Sequence, residues 1–173
     1  MDQFNIFLIG FMGTGKTTIA NCLSRKLDRK VVEMDQIIAE RADMSISDIF
    51  KTYGEQHFRD LETGLLVEMQ SNKNTVISCG GGAALRERNV EEMKKNGRVV
   101  LLTASPQTIY ERVKDSDDRP VLNGRKNVKG ISELMEQRRE KYEAAADIVI
   151  NTDNKTVLQI CEELVQRIIE MEE

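Results

Sequence analysis

Gly10-Phe11-Met12-Gly13-Thr14-Gly15-Lys16-Thr17 fits the pattern G-x-x-x-x-G-K-[ST] at each defined position. Glycines at those places let the backbone curl until successive N–H groups point at phosphate oxygens, and the helix that follows adds its positive N-terminal end. Lys16 then supplies a point charge for the outer phosphates, and the Thr17 hydroxyl can meet a magnesium ion bridging two of them. The flanks suit the motif. Ile6-Phe7-Leu8-Ile9 before it is an apolar run of strand length, and Ile19, Cys22, Leu23 and Leu27 after it recur at helical spacing. Strand, loop and helix in that order predict a nucleoside triphosphate site.

Working outward, Lys30 to Asp35 reads as a second strand ending in carboxylates. Strand alternation would put Glu33 and Asp35 on one side, at the strand end where open parallel sheets hold ligands. Ser45 to Asp48 opens a helix that stops at Gly54. A longer helix follows, with Phe58, Leu61, Leu65 and Met69 on its apolar face and Arg59 and Glu62 one turn apart on another. Two helices between strands exceed a minimal crossover and suit the acceptor side of a pocket. Thr75 to Cys79 is a third strand that runs into Gly80-Gly81-Gly82. Three consecutive glycines there predict either positive φ or a backbone so close to a ligand that no Cβ fits.

The rest of the chain keeps the alternation. A polar helix from Arg86 to Asn96, closed by Gly97, precedes a fourth strand at Val99 to Leu102. Ser105 and Pro106 read as N-cap and first helical residue of the next helix. Asp115 to Lys129 has few apolar anchors and carries Arg119-Pro120 at its centre, which predicts a mobile lid that brings a cation over phosphate. A helix from about Ile131 to Ala145 carries Arg138 and Tyr142. Ile148 to Ile150 is a fifth strand, and Val157 to Ile168 forms a closing amphipathic helix. Apolar strands alternating with helices predict a three-layer α/β domain with a parallel sheet.

At 173 residues and 40% hydrophobic content the chain is expected to form one domain with a substantial core. A net charge of −4 gives no global basic field for nucleic acid or an anionic membrane surface. An anionic ligand must therefore be held by local arginines and lysines. Three widely separated cysteines inside apolar segments read as reduced core thiols of a cytosolic protein. Neither a signal peptide nor a stretch of membrane-spanning length is visible.

These residues together resemble the shikimate kinase family, small P-loop kinases of the nucleoside-monophosphate-kinase-like fold. The resemblance covers essentially the whole chain. It rests on Gly10 to Thr17, Asp35, Phe58-Arg59-Asp60-Leu61-Glu62, the triple glycine, Arg119-Pro120, and Arg138 with Tyr142. It implies a five-stranded parallel sheet in a single domain over residues 1–173, with substrate-binding helices at about 36–70 and a lid at about 115–129. It also implies transfer of the γ-phosphoryl group of ATP to the 3-hydroxyl of shikimate, with Mg2+, in aromatic amino-acid biosynthesis, by a cytoplasmic monomer.

By the same resemblance, Lys16, Asp35 and Arg119 are catalytic. Gly13, Thr14, Gly15, Lys16, Thr17, Thr18, Arg112 and Arg119 hold the nucleotide, Arg112 by stacking on adenine. Asp35, Arg59, Gly80, Gly81, Gly82 and Arg138 bind shikimate, the two arginines through its carboxylate, and Glu62 orients Arg59. Guanidinium forks suit a carboxylate because they bind it bidentately. Magnesium is expected at Thr17 and, through a water, at Glu33, which stands where the family usually has an aspartate. Asp153-Asn154-Lys155 stands where the family often has a proline against adenine. The nearest alternative is a kinase for another small hydroxy acid such as gluconate. A GTP-dependent switch would want N-K-x-D, and Asn72-Lys73 lacks the aspartate.

Overall fold

Asn5–Ile9 forms β1, buried at every position between β3 (Thr75–Ser78) and β4 (Gly97–Thr103), to both of which it pairs in parallel. The apolar run Ile6 to Ile9 suits a central strand covered on both faces. The computed structural model describes residues 3–116, 122 and 124–172. Among the described residues the sheet is completed by β2 (Lys30–Glu33) and β5 (Ile148–Asn151), giving the parallel order β2-β3-β1-β4-β5. Asn5 is the polar exception in β1. Its side chain accepts the Thr75 N–H at 3.1 Å and donates to the Asn72 carbonyl at 3.0 Å, so the entry to β3 is tied to the start of β1.

One face of the sheet is closed by α1 (Lys16–Leu27) and α8 (Val157–Glu172). Ile19 and Leu23 of α1 pack there with Ile160, Leu164 and Ile168 of α8. The opposite face carries α2 (Met34–Ala42), α3 (Ile46–Tyr53), α4 (Glu55–Glu68), α5 (Glu87–Asn96), α6 (Pro106–Val113) and α7 (Val128–Ala145). Local chemistry explains several boundaries. Ser45 and Ser105 cap α3 and α6 by accepting the N–H three residues on, and Pro106 occupies the first turn of α6. No helix among the described residues is long and apolar enough to cross a membrane. Cys22, Cys79 and Cys161 are free, the last two buried and Cys22 half-buried.

Three boundaries differ from the sequence reading. β2 stops at Glu33 and α2 begins at Met34, so Asp35 lies in a first helical turn rather than on a strand. Nothing between the two elements breaks the chain, and an acidic residue is favoured near a helix N-terminus. Gly97 closes α5 as read, but with an extended backbone, so β4 begins there rather than at Val99. A Cβ there would lie 2.4 Å from the Phe7 ring. α7 starts at Val128, because the Asn127 side chain caps it by accepting the Gly130 N–H at 2.8 Å.

Candidate active site

The loop after β1 turns back on itself over the C-terminal edge of the sheet. Gly13 and Gly15 take φ of +79° and +94°, a region that side chains with a Cβ rarely enter. Lys16 Nζ donates to the carbonyls of Gly10 (2.8 Å) and Phe11 (3.1 Å), and Arg112 donates to the Gly13 carbonyl at 2.8 Å. A cavity of about 300 Å³ opens beside the loop, with Gly13, Gly15, Lys16, Thr17, Glu33, Asp35 and Arg112 in its wall. Thr14 and Thr18 are not in that wall. The Thr14 hydroxyl is buried under the loop and donates to the Phe11 carbonyl, and Thr18 is exposed on α1.

Glu33 is half-buried beside Thr17. Burial raises its carboxyl above the ordinary value, and Asp35 adds to the rise; hydrogen bonds with the Ser78 and Thr17 hydroxyls and the charge of Lys16 oppose it. Its Oε1 is buried without a hydrogen-bond partner. An orphaned carboxylate oxygen next to the loop threonine suits a water carried by a divalent ion. Among the described residues no three acidic, histidine or cysteine side chains gather as a metal cage. Magnesium needs none, since one or two carboxylates, substrate phosphates and waters usually hold it.

A second cavity, of about 390 Å³, adjoins the first. It is lined by Met12, Asp35, Ile46, Phe50, Phe58, Arg59, Gly80, Gly81, Gly82 and Arg138 among others. Met12, Asp35, Gly80 and Gly81 border both cavities. Asp35 thus stands at the seam between a phosphate-sized polar pocket and one with two arginines.

Each arginine is held in place. Arg59 donates to Glu62 at 2.7 Å and to Glu55 at 3.1 Å. Burial works against its charge, but the two glutamates outweigh that and hold its pKa above the ordinary value. Arg138 is buried, lies over the Phe11 ring, and donates to the Tyr142 hydroxyl at 3.3 Å. Tyr142 in turn donates to the Gly81 carbonyl at 2.5 Å. Glu62 is fully buried. Burial pushes its carboxyl up to about 7, partly offset by Arg59 and reinforced by Asp35.

The glycine run has a reason other than the one its sequence suggests. None of the three has positive φ. A Cβ on Gly80 would lie 2.5 Å from Glu62 Oε2 and 2.9 Å from Asp35 Oδ1, and one on Gly82 would lie 2.3 Å from Arg59 Cζ. At Gly80 and Gly82 the close approach that excludes a Cβ is to the site's own side chains, whereas a Cβ on Gly81 would make only ordinary contacts, the nearest at 3.6 Å.

Sequence reasoning missed the Tyr142 to Gly81 link, the Ser78 hydroxyl on Glu33, and Asp153, whose carboxylate accepts the Ser105 N–H at 2.9 Å. Ser78 looks like any alternating strand residue. Asp153 looks like any turn acid. Arg119 lies outside the described residues, as does most of the centre of the expected lid.

A P-loop whose cavity meets a second, arginine-bearing cavity at one carboxylate, on a sheet of this order, defines a kinase of the P-loop NTPase fold that acts on a small molecule. A family model for shikimate kinase matches residues 12–169. Shikimate kinase of Persephonella marina is 43% identical, over 95% of this chain and 98% of its own length. Shikimate kinase of Sulfurihydrogenibium is 42% identical, over 95% and 97%. The chain belongs to the shikimate kinase family.

Among solved structures, shikimate kinase from Acinetobacter baumannii in complex with shikimate superposes with a TM-score of 0.92 at 31% identity, covering 97% of this chain and 94% of that one. A gluconokinase from Sinorhizobium meliloti 1021 gives 0.62 at 14% identity, a likeness of fold alone. The likeness to this gluconokinase is distant.

Proposed function

We propose that this chain transfers the γ-phosphoryl group of ATP to the 3-hydroxyl of shikimate, giving shikimate 3-phosphate and ADP for aromatic amino-acid biosynthesis. The observation that carries the reading is the meeting of the two cavities at Asp35, with Arg59 and Arg138 in the wall of the second. The two guanidiniums take the acceptor's carboxylate, and charged hydrogen bonds of this kind contribute roughly 1.5–3 kcal/mol each. Fixed at that end, the ring presents a hydroxyl to Asp35, which orients it or accepts its proton. Gly80, Gly81 and Gly82 form the wall against the ring.

On the donor side, Gly13, Gly15 and Lys16 hold phosphates. Thr14 and Thr18 contribute through the loop backbone and first helical turn. Arg112 stacks on adenine, and Arg119 steadies the transferring group from the lid. Phosphoryl transfer depends on alignment and charge neutralisation more than on covalent chemistry. Thr17, and Glu33 through a water, would hold magnesium, whose contribution is to neutralise phosphate charge. We further propose that the protein acts as one domain, as a cytoplasmic monomer. ADP release measured with shikimate, with gluconate and without acceptor tests the assignment. Turnover only with shikimate is expected, and equal or greater turnover with gluconate would overturn it.

A further inference from the structure

Glu62 uses one carboxylate oxygen and leaves the other idle. Oε1 accepts from Arg59, while Oε2 is fully buried without a hydrogen-bond partner. Oε2 faces the point above Gly80 toward which Asp35 Oδ1 also converges, 2.5 and 2.9 Å respectively from where a Cβ would stand. An orphaned buried oxygen next to a second carboxylate is costly when ionised and satisfied when it carries a proton, because a carboxylic acid can then donate toward its neighbour.

We infer that the acceptor's carboxylate binds with uptake of a proton from solvent, and that Glu62 Oε2 is the atom that takes it. The inference rests on the reading that Arg59 holds the acceptor. Arg59 is already engaged by Glu62 and Glu55, so an incoming carboxylate competes with them for the same N–H groups. It also adds a negative charge beside Glu62. Both effects raise the affinity of Glu62 for a proton. Once protonated, Glu62 leaves more of the Arg59 charge to the ligand and can donate toward the Asp35 side chain.

The groups facing Glu62 fix the starting point. On α4 these are Arg59 and, through it, Glu55. Asp35 faces it from α2, Cys79 from the end of β3, Arg86 from the segment before α5, and Tyr142 from α7. Arg86 is shared with Asp60. Burial outweighs the nearby cations and places the free carboxyl at about 7, so the group is ionised in part near neutrality and has a proton site to fill. Glu62 is thus a positioning residue that reports on Arg59.

Calorimetry of shikimate binding, in buffers of different ionisation enthalpy at about pH 6, 7 and 8, reads the proton count directly. Uptake is expected to be small at the lowest pH, where the group is already protonated, and to approach about one proton per shikimate at the highest. Glu62→Gln should bind shikimate with a buffer-independent heat. A wild-type heat that is independent of buffer at every pH, or uptake that persists in Glu62→Gln, would overturn the inference. Should that variant not fold, the carboxyl ¹³C resonance of Glu62 in the wild-type protein at about pH 8 decides. It should move to the protonated position on adding shikimate, and a resonance that stays put refutes the assignment. A wild-type protein that neither binds nor phosphorylates shikimate would instead overturn the substrate reading and the inference with it.

Discussion

A Cβ on Gly82 would lie 2.3 Å from Arg59 Cζ, so the backbone at Gly82 and the guanidinium of Arg59 fit together only because Gly82 has no side chain. The Gly82 backbone, at φ −97°, is open to any residue. Gly82→Ala should therefore leave the fold almost untouched, since the far end of a flexible arginine can move aside, and should displace the guanidinium instead. Losing one charged contact of roughly 1.5–3 kcal/mol corresponds to a rise in shikimate KM of about ten- to a hundred-fold. Nucleotide affinity should not change. Steady-state kinetics beside a thermal melt make the check, and an unaltered KM would detach Arg59 from the acceptor.

Lys16 reaches its loop carbonyls from a position on the wall of the P-loop cavity. Lys16→Ala should lower kcat by several orders of magnitude, because charge that grows during transfer loses its counterion in a site worth several kcal/mol of barrier. The melting temperature should fall by only a few degrees. Full turnover in a folded variant would remove Lys16 from the chemistry.

Stability should depend on pH through Glu62. Its folded pKa of about 7 lies above the ordinary 4.5, so the folded state binds the proton more tightly than the unfolded chain. The associated stability is fully present below about pH 4.5 and is lost as pH rises through about 7, a difference on the order of 3 kcal/mol. Glu62→Gln has no such proton. The melting temperature of the wild type should fall relative to that variant between about pH 5 and 8. Parallel curves for the two proteins would contradict the raised pKa.

Glu33 offers a buried, unpartnered oxygen beside Thr17. A role through a metal-bound water tolerates small changes of side-chain length, so Glu33→Asp should stay active. Glu33→Gln should raise the magnesium concentration for half-maximal rate several-fold at saturating ATP and shikimate. An unchanged magnesium curve in Glu33→Gln would show that the residue has no part in holding the ion.

The order of elements and the P-loop were legible because their signals are local: Gly10 to Thr17 needs its own glycines, and Ser105-Pro106 caps its own helix. What stayed hidden depends on residues far apart in sequence. Glu62 read as a neighbour of Arg59 off the apolar face of its helix and is fully buried, because the chain leaving β3 brings Gly80 directly against it. Asp35 was expected on a strand and sits in a helix, since nothing in Glu33-Met34-Asp35 marks the change. Tyr142 carried no visible role, because its partner is the Gly81 carbonyl, and backbone acceptors leave no trace in sequence.

The two faces of the sheet bury separate apolar clusters. Phe58, Arg59 and Arg138 belong to the face carrying α2 to α7, whereas the buried residues of α8 pack on the other. Random substitution should therefore divide by layer. Changes among Ile160, Leu164 and Ile168 can erode or reinforce robustness without redrawing the acceptor pocket. Changes around Ile46, Phe50 and Phe58 alter which acceptor is accepted. A laboratory lineage evolved toward a new acceptor would accumulate its specificity changes on one side of the sheet, while the other side serves as the reserve of stability that lets those changes survive.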